Sequence, residues 1–242
     1  MILSKGIEFL GISGQVTERP GGRDMMMPSL IYVVDPMCSW CWGFSPVIDE
    51  IIRQYRDRVT IEALLGGLRP GNTERFDEQR RAYVLSHWYA VHERTGQPFN
   101  FNFHPEPSFI YDTEPPSRAL KVIRQLAPDK EFVFLTSVQE AFYIKNQDVT
   151  LPEILADLAW TQGVDRARFL QEFHDPAMKQ SVWQEFDRAR QLRVSGFPAL
   201  LGQNGHDYIR LTQGYQPKGV LVPKIDQWLD GLSSGFSSSL RG

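Results

Sequence analysis

The chain's two cysteines, Cys38 and Cys41, stand three residues apart, where a strand pattern gives way to a helical one. Before them, Leu30-Ile31-Tyr32-Val33-Val34 is an apolar, β-branched run closed by Asp35-Pro36, which reads as a buried strand. After them, Val47, Ile48, Ile51, Ile52 and Tyr55 recur at three- and four-residue steps, while Asp49, Glu50, Arg53 and Arg56 fill the other face. That is one apolar helix stripe. Val59, Ile61, Ala63 and Leu65 then alternate as a second strand, stopped by Gly66-Gly67. Strand, helix, strand predicts a βαβ unit with a parallel pair. The Cys-x-x-Cys therefore opens a helix.

That placement suits sulfur chemistry. The thiolate, not the thiol, attacks a disulfide. Unpaired N–H groups and roughly half a positive charge at a helix N-terminus favour the anion. Cys38 is the candidate attacking residue. Cys41, one turn on, is the candidate that resolves a mixed disulfide. Two cysteines are too few for a secreted disulfide scaffold. Half a zinc site is the competing reading, but it needs two further ligands. His87, His92, His104, His174 and His206 show no matching spacing.

The 242 residues suffice for one large domain or two small ones. Hydrophobic residues at 42% and charged ones at 23% speak against a wholly disordered chain. A net charge of -3, with no basic run, gives no pull towards nucleic acid or an anionic membrane. No apolar run approaches the roughly 20 residues of a spanning helix. Residues 1–27 read as a flexible extension without a signal peptide, with Met25, Met26 or Met27 as an alternative start. The expected compartment is the cytoplasm.

Helical patterns follow over Asp77–Arg94, from Thr113 as a capping residue before Pro115-Pro116, and over about 130–145, 151–161, 166–174 and 176–190. Strand patterns return around Asn204-Gly205, a hairpin signal. Pro217 opens a last helix, and residues 233–242 are Ser/Gly-rich and expected to be loose.

Strand, Cys-x-x-Cys helix and strand resemble the thioredoxin fold. Pro46, eight residues after Cys38, matches the kinking proline of that helix, and Val194-Ser-Gly-Phe-Pro resembles the family's cis-proline loop. The helical stretch of about 70–190 is similar to the insertion of the DsbA family. Asp35-Pro-Met-Cys-Ser-Trp-Cys-Trp-Gly-Phe, Tyr111-Asp-Thr-Glu-Pro-Pro-Ser-Arg-Ala and Val194-Ser-Gly-Phe-Pro-Ala resemble a cytoplasmic subgroup of predicted protein-disulfide isomerases, near the FrnE-like branch. The resemblance covers about 28–232. It implies an α/β, thioredoxin-like fold and a thiol–disulfide oxidoreductase or isomerase acting on protein or small-molecule disulfides. It also implies a cis Phe197–Pro198 bond opposite Cys38, with Phe197 backbone groups pairing with substrate.

The chain departs from the pattern in two places. Six residues before the first cysteine, where relatives carry a proton-shuttling acid, stands Tyr32. Asp35 is a candidate replacement, or simply a turn residue. The central dipeptide is Ser39-Trp40: a hydroxyl that could bond a thiolate, and an apolar docking surface. Without a histidine there, the expected couple is less oxidising than that of DsbA. Trp42, Phe44, Trp88, Tyr89 and Tyr111 are candidates for an apolar groove, or for core. Arg118 is a candidate for a glutathione carboxylate, or a solvated helix face. No cofactor or metal is expected, apart from glutathione as a possible co-substrate. Two other readings stay open. One is a glutathione-dependent enzyme like the kappa-class transferases and hydroxychromene-carboxylate isomerases, which carry serine at the first position. The other is a binding module.

Overall fold

The structure, a computed structural model, describes residues 27–239. The expected extension lies outside the described residues except for Met27, as do residues 240–242. Four strands, β1 (Ser29–Val34), β2 (Thr60–Leu65), β3 (Ala199–Asn204) and β4 (Asp207–Gln213), form one sheet in the order β2-β1-β3-β4. β1 pairs with β2 in parallel; β1–β3 and β3–β4 are antiparallel. The parallel pair is joined by α1 (Ser39–Tyr55), which has Pro46 inside it.

β1 is central, and its alternate residues enter different cores. Leu30, Tyr32 and Val34 pack with α1, the insertion helices and the final helix. Ile31 and Val33 pack with Leu64, Ala189, Val194 and Leu201 on the other face. Burial on both faces explains the unbroken apolar run of β1.

The insertion comprises α2 (Glu78–Thr95), α3 (Glu114–Leu126), a 3₁₀ turn (Pro128–Lys130), α4 (Glu131–Tyr143), α5 (Pro152–Thr161), α6 (Arg166–His174) and α7 (Pro176–Gln191). Asp77, Asp165 and Asp175 each cap a helix through a carboxylate that accepts from a backbone N–H. Thr113 does not. It precedes α3, but its hydroxyl accepts from the Arg69 N–H instead (3.1 Å). The hairpin also differs slightly from expectation. Asn204 is the last residue of β3 and the turn is Gly205-His206, with Gly205 at φ 59°. A glycine at the first turn position, with the second outside the left-handed region, is the type II′ arrangement.

α8 (Lys218–Ser239) continues through seven of the residues expected to be loose. Once a helix is nucleated, each further residue adds a hydrogen bond, so modest serine and glycine penalties do not stop it.

Candidate active site

The β1–α1 junction sets the site. Cys38 is the N-cap of α1, with extended backbone (φ −85°, ψ 115°), and its carbonyl accepts from the Cys41 and Trp42 N–H groups at 2.9 and 3.1 Å. Cys41 therefore sits one turn inside, fully buried, while Cys38 retains 6% exposure. Both are free thiols.

The other half of the site arrives from far along the chain. Phe197–Pro198 is cis and immediately precedes β3. The Cys38 thiol donates to the Phe197 carbonyl at 3.7 Å across 159 positions of sequence. The Phe197 ring rests on Gly66, just after β2, where a Cβ would lie 2.2 Å from it. Only glycine leaves the ring that space.

Beside Cys38 lies a cavity of about 190 Å³. Met37, Ser39, Trp40, Leu68, Trp88, Tyr111 and Phe197 make most of its wall, with Arg69 and His87 as its basic side chains. A second, more open hollow lies past Trp40 and Phe197, bordered by Arg94, Gly214 and Tyr215. Trp40 packs against Tyr215 at a 6.2 Å ring separation.

Of the five aromatics considered for a groove, Trp88 and Tyr111 line the cavity. Trp42 and Phe44 are core; the Trp42 indole donates to the Pro98 carbonyl at 2.9 Å. Tyr89 points outward and stacks on Phe101 at 4.1 Å. Arg118 is neither a ligand group nor solvated. It makes a two-pronged bond to Glu114 (2.8 and 2.5 Å), donates to the Phe173 carbonyl and lies over the Phe173 ring. Ser39 lines the cavity, and no hydrogen bond joins its hydroxyl to either sulfur among the described residues.

Beneath the cysteines is a buried polar cluster. The Asp35 carboxylate accepts from Met37 N–H at 2.9 Å and Leu68 N–H at 2.7 Å. Tyr111 Oη donates to the Met37 carbonyl at 2.5 Å. These bonds pin the insertion to the active-site loop. Burial pushes Asp35 from 3.8 up to about 6, against the bonds from Leu68, Thr113 and Met37, which favour the anion. Across that window the folded chain holds a proton that the unfolded chain has released. The group's contribution to stability therefore falls as pH rises from about 4 to about 6. Burial likewise raises Cys41, and the neighbouring Cys38 adds to the shift.

Tyr32 occupies the place of the missing acid. It is fully buried against Phe44, and its hydroxyl faces Cys41 without a hydrogen bond of normal geometry. Burial, then the two cysteines, push its pKa well above the usual value. Among the described residues, no three His, Cys, Asp or Glu side chains converge as a metal site. None of these helices is long and apolar enough to cross a membrane.

A helix-opening dithiol facing a cis-proline loop, on this sheet and with this insertion, defines a thioredoxin-fold protein of the thiol–disulfide oxidoreductase class. The profile of the DSBA-like thioredoxin domain matches residues 29–216, and the chain belongs to that family. It is similar to a solved structure of a candidate protein disulfide isomerase from Nitrosomonas europaea: 40% identity, TM-score 0.80, covering 84% of this chain and 98% of that one. The cytosolic disulfide reductase DsbM of Pseudomonas aeruginosa shares the fold at 22% identity and TM-score 0.66, covering 86% and 98% of the two chains. Among curated proteins, the ClpXP adapter SpxH of Halalkalibacterium halodurans is 25% identical over 210 residues, 84% of this chain and 68% of that protein.

Proposed function

We propose that the chain is a dithiol–disulfide oxidoreductase working on the reducing or isomerising side. Cys38 attacks a substrate disulfide, and Cys41 resolves the Cys38–substrate bond. The Phe197-Pro198 loop, with Ser39 and Trp40, seats the substrate. The observation that carries this reading is the pairing of the slightly exposed Cys38 with the Phe197 carbonyl, with Cys41 enclosed one turn behind. DsbA is a strong oxidant because its reduced form is stabilised. Here the dipeptide between the cysteines supplies no cation. The test equilibrates the protein with graded glutathione buffers, chelator present, and counts free thiols. Two thiols should disappear together, with a midpoint at or below about −180 mV. A midpoint near that of DsbA, roughly −120 mV, would reverse the direction. No two-thiol transition would bring forward the kappa-class-like or binding-module reading.

Glutathione is the proposed small co-substrate. Arg69 lines the cavity beside Cys38, lies 5.7 Å from the Tyr111 ring centroid, and pairs with no carboxylate among the described residues. It is free to take a carboxylate in the two-pronged way a guanidinium favours. One neighbouring solved structure, DsbM, is described with GSH. Arg69→Ala should raise KM for glutathione disulfide about tenfold, the size of a lost charged hydrogen bond. It should leave KM for the uncharged hydroxyethyl disulfide unchanged. Equal losses on both substrates would remove Arg69 from carboxylate binding.

A further inference from the structure

Two hollows meet beside Cys38, and the same two side chains divide them. Trp40 and Phe197 border both. Cys38 and Arg69 border the first only; Arg94 and Tyr215 border the second only. The second hollow holds about 330 Å³, and its walls are tied to the site. The Tyr215 ring packs against Trp40 at 6.2 Å and edge-on to Phe44 at 6.3 Å. The Gly214 N–H donates to the Pro198 carbonyl at 2.7 Å, next to the Phe197 carbonyl that accepts from Cys38. α2 runs past both hollows. Its His87 borders the first and its Arg94 the second. Seven residues make nearly two turns, so these two share a helix face, roughly 10 Å apart along the axis.

The charge around the hollows is one-sided. The chain has 29 acidic residues against 26 basic ones, yet no Asp or Glu borders either hollow. Each hollow has one arginine in its wall, and neither Arg69 nor Arg94 pairs with a carboxylate among the described residues. Arg94 lies in the last turn of α2, where the helix's negative end favours a cation. That accounts for a basic residue there. It does not account for an unpaired guanidinium in the wall of a hollow beside the dithiol. An arginine so placed suits a carboxylate, which it can hold by two parallel bonds.

We propose that the second hollow receives the departing half of the substrate, and that the favoured substrates are disulfides with a carboxylate on each arm. Arg69 takes the arm that stays on Cys38, and Arg94 takes the arm that leaves. This rests on the dithiol reading and on the Arg69 assignment above. In displacement at sulfur, the attacking, central and leaving sulfurs lie near one line. Cys38 borders the first hollow and not the second, so the sulfur it bonds keeps its arm in the first. The departing sulfur lies beyond, over the Trp40–Phe197 ridge, where the more open hollow gives it an exit. The Cys38 thiol loses its proton to water, and its sulfur bonds to the near substrate sulfur. The substrate S–S bond breaks, and the far sulfur leaves with the electron pair and takes a proton from water. Cys41 then displaces the retained arm in the same way. The products are the Cys38–Cys41 disulfide and two reduced halves.

The test uses Cys41→Ser, which holds the first adduct, and the mixed disulfide of 3-mercaptopropionate and 2-mercaptoethanol. Only one arm of that probe carries a carboxylate. The reaction is quenched in acid within the first turnover, and intact mass shows which half stays on Cys38. A retained propionate arm uses Arg69; a departing propionate arm uses Arg94. Arg94→Ala, added to Cys41→Ser, should therefore raise the ratio of propionate to hydroxyethyl adduct about tenfold. Arg69→Ala should lower that ratio about tenfold, again the size of one lost charged hydrogen bond. Loss of packing or of general positive charge would not move the ratio in opposite directions. An unmoved ratio in Arg94→Ala, beside a shift in Arg69→Ala, overturns the second subsite while the dithiol and Arg69 readings stand. Shifts in one common direction, or both in the reverse sense, overturn the assignment of the arms. Absence of any adduct on Cys41→Ser overturns the dithiol reading and this one with it.

Discussion

Cys41→Ser should react once and stop. With glutathione disulfide it should accumulate one Cys38–glutathione adduct per chain, and catalytic turnover should fall by at least about 10³-fold, as when one member of a catalytic unit is removed. The asymmetry of the pair dictates this. Cys38 caps the helix at the cavity edge with 6% of its surface open, whereas Cys41 has none. An incoming sulfur can therefore reach Cys38 but not Cys41. Serine keeps the shape of Cys41 but cannot displace the glutathione sulfur. The partner variant Cys38→Ser should form no adduct at all. Intact-mass measurement after exposure to glutathione disulfide checks both. An adduct on Cys41 in Cys38→Ser would reverse the proposed roles. Retained turnover in Cys41→Ser on a substrate without a disulfide would favour the glutathione-enzyme reading.

The parts legible beforehand were those carried by local pattern. The run Leu30–Val34 and the stripe Val47, Ile48, Ile51, Ile52, Tyr55 correspond to β1 and α1, and the 166–174 pattern is α6. The meeting of Cys38 with Phe197 spans 159 positions. No periodicity could show it, and only the resemblance of the Gly-Phe-Pro segment to a cis-proline loop brought the two together. The cavity wall was legible in part: Cys38, Ser39, Trp40, Trp88, Tyr111 and Phe197 were candidates, whereas Leu68, Arg69, Tyr83 and Val84 were not. Trp88 and Tyr89 are adjacent on α2, but one step along a helix turns about 100°, so the first lines the cavity and the second stacks outside. Arg69 did carry a usable signal. β1 and β2 are parallel neighbours, so the loops leaving them emerge side by side, and residues just past Gly66-Gly67 must approach Asp35–Cys41. Thr113 shows the limit of a cap rule: its hydroxyl is drawn to Arg69 N–H and Asp35, both distant in sequence. Arg118 misled for a similar reason, since the burial of Glu114 and Phe173 beside it is a tertiary fact.

The largest stability effect should come from a group that no sequence pattern singled out. Glu185 on α7 accepts from Lys121 Nζ at 2.5 Å, from Arg124 at 2.6 Å and from the Leu65 N–H at 3.1 Å. Arg124 also reaches Glu131 (2.7 Å) and the Ala63 carbonyl (2.9 Å). One carboxylate thus ties α3 and α7 to β2, whose end leads into Gly66 beneath Phe197. The Glu185 side chain is only 11% exposed, and those of Arg124 and Lys121 are 30% and 24% exposed, so water can replace little of what it provides. Glu185→Ala leaves a cation short of its partner and the Leu65 N–H unsatisfied. Breaking such a buried pair costs about 3 to 5 kcal/mol, and the surviving Glu131 contact places the expected loss near about 3 kcal/mol. Glu185→Gln keeps an acceptor for Leu65 N–H and should lose less. Urea unfolding of the three proteins, read at constant m-value, measures both steps. A loss below about 1 kcal/mol in Glu185→Ala would mean that the network behaves as a surface ion pair and does not hold the insertion to the sheet.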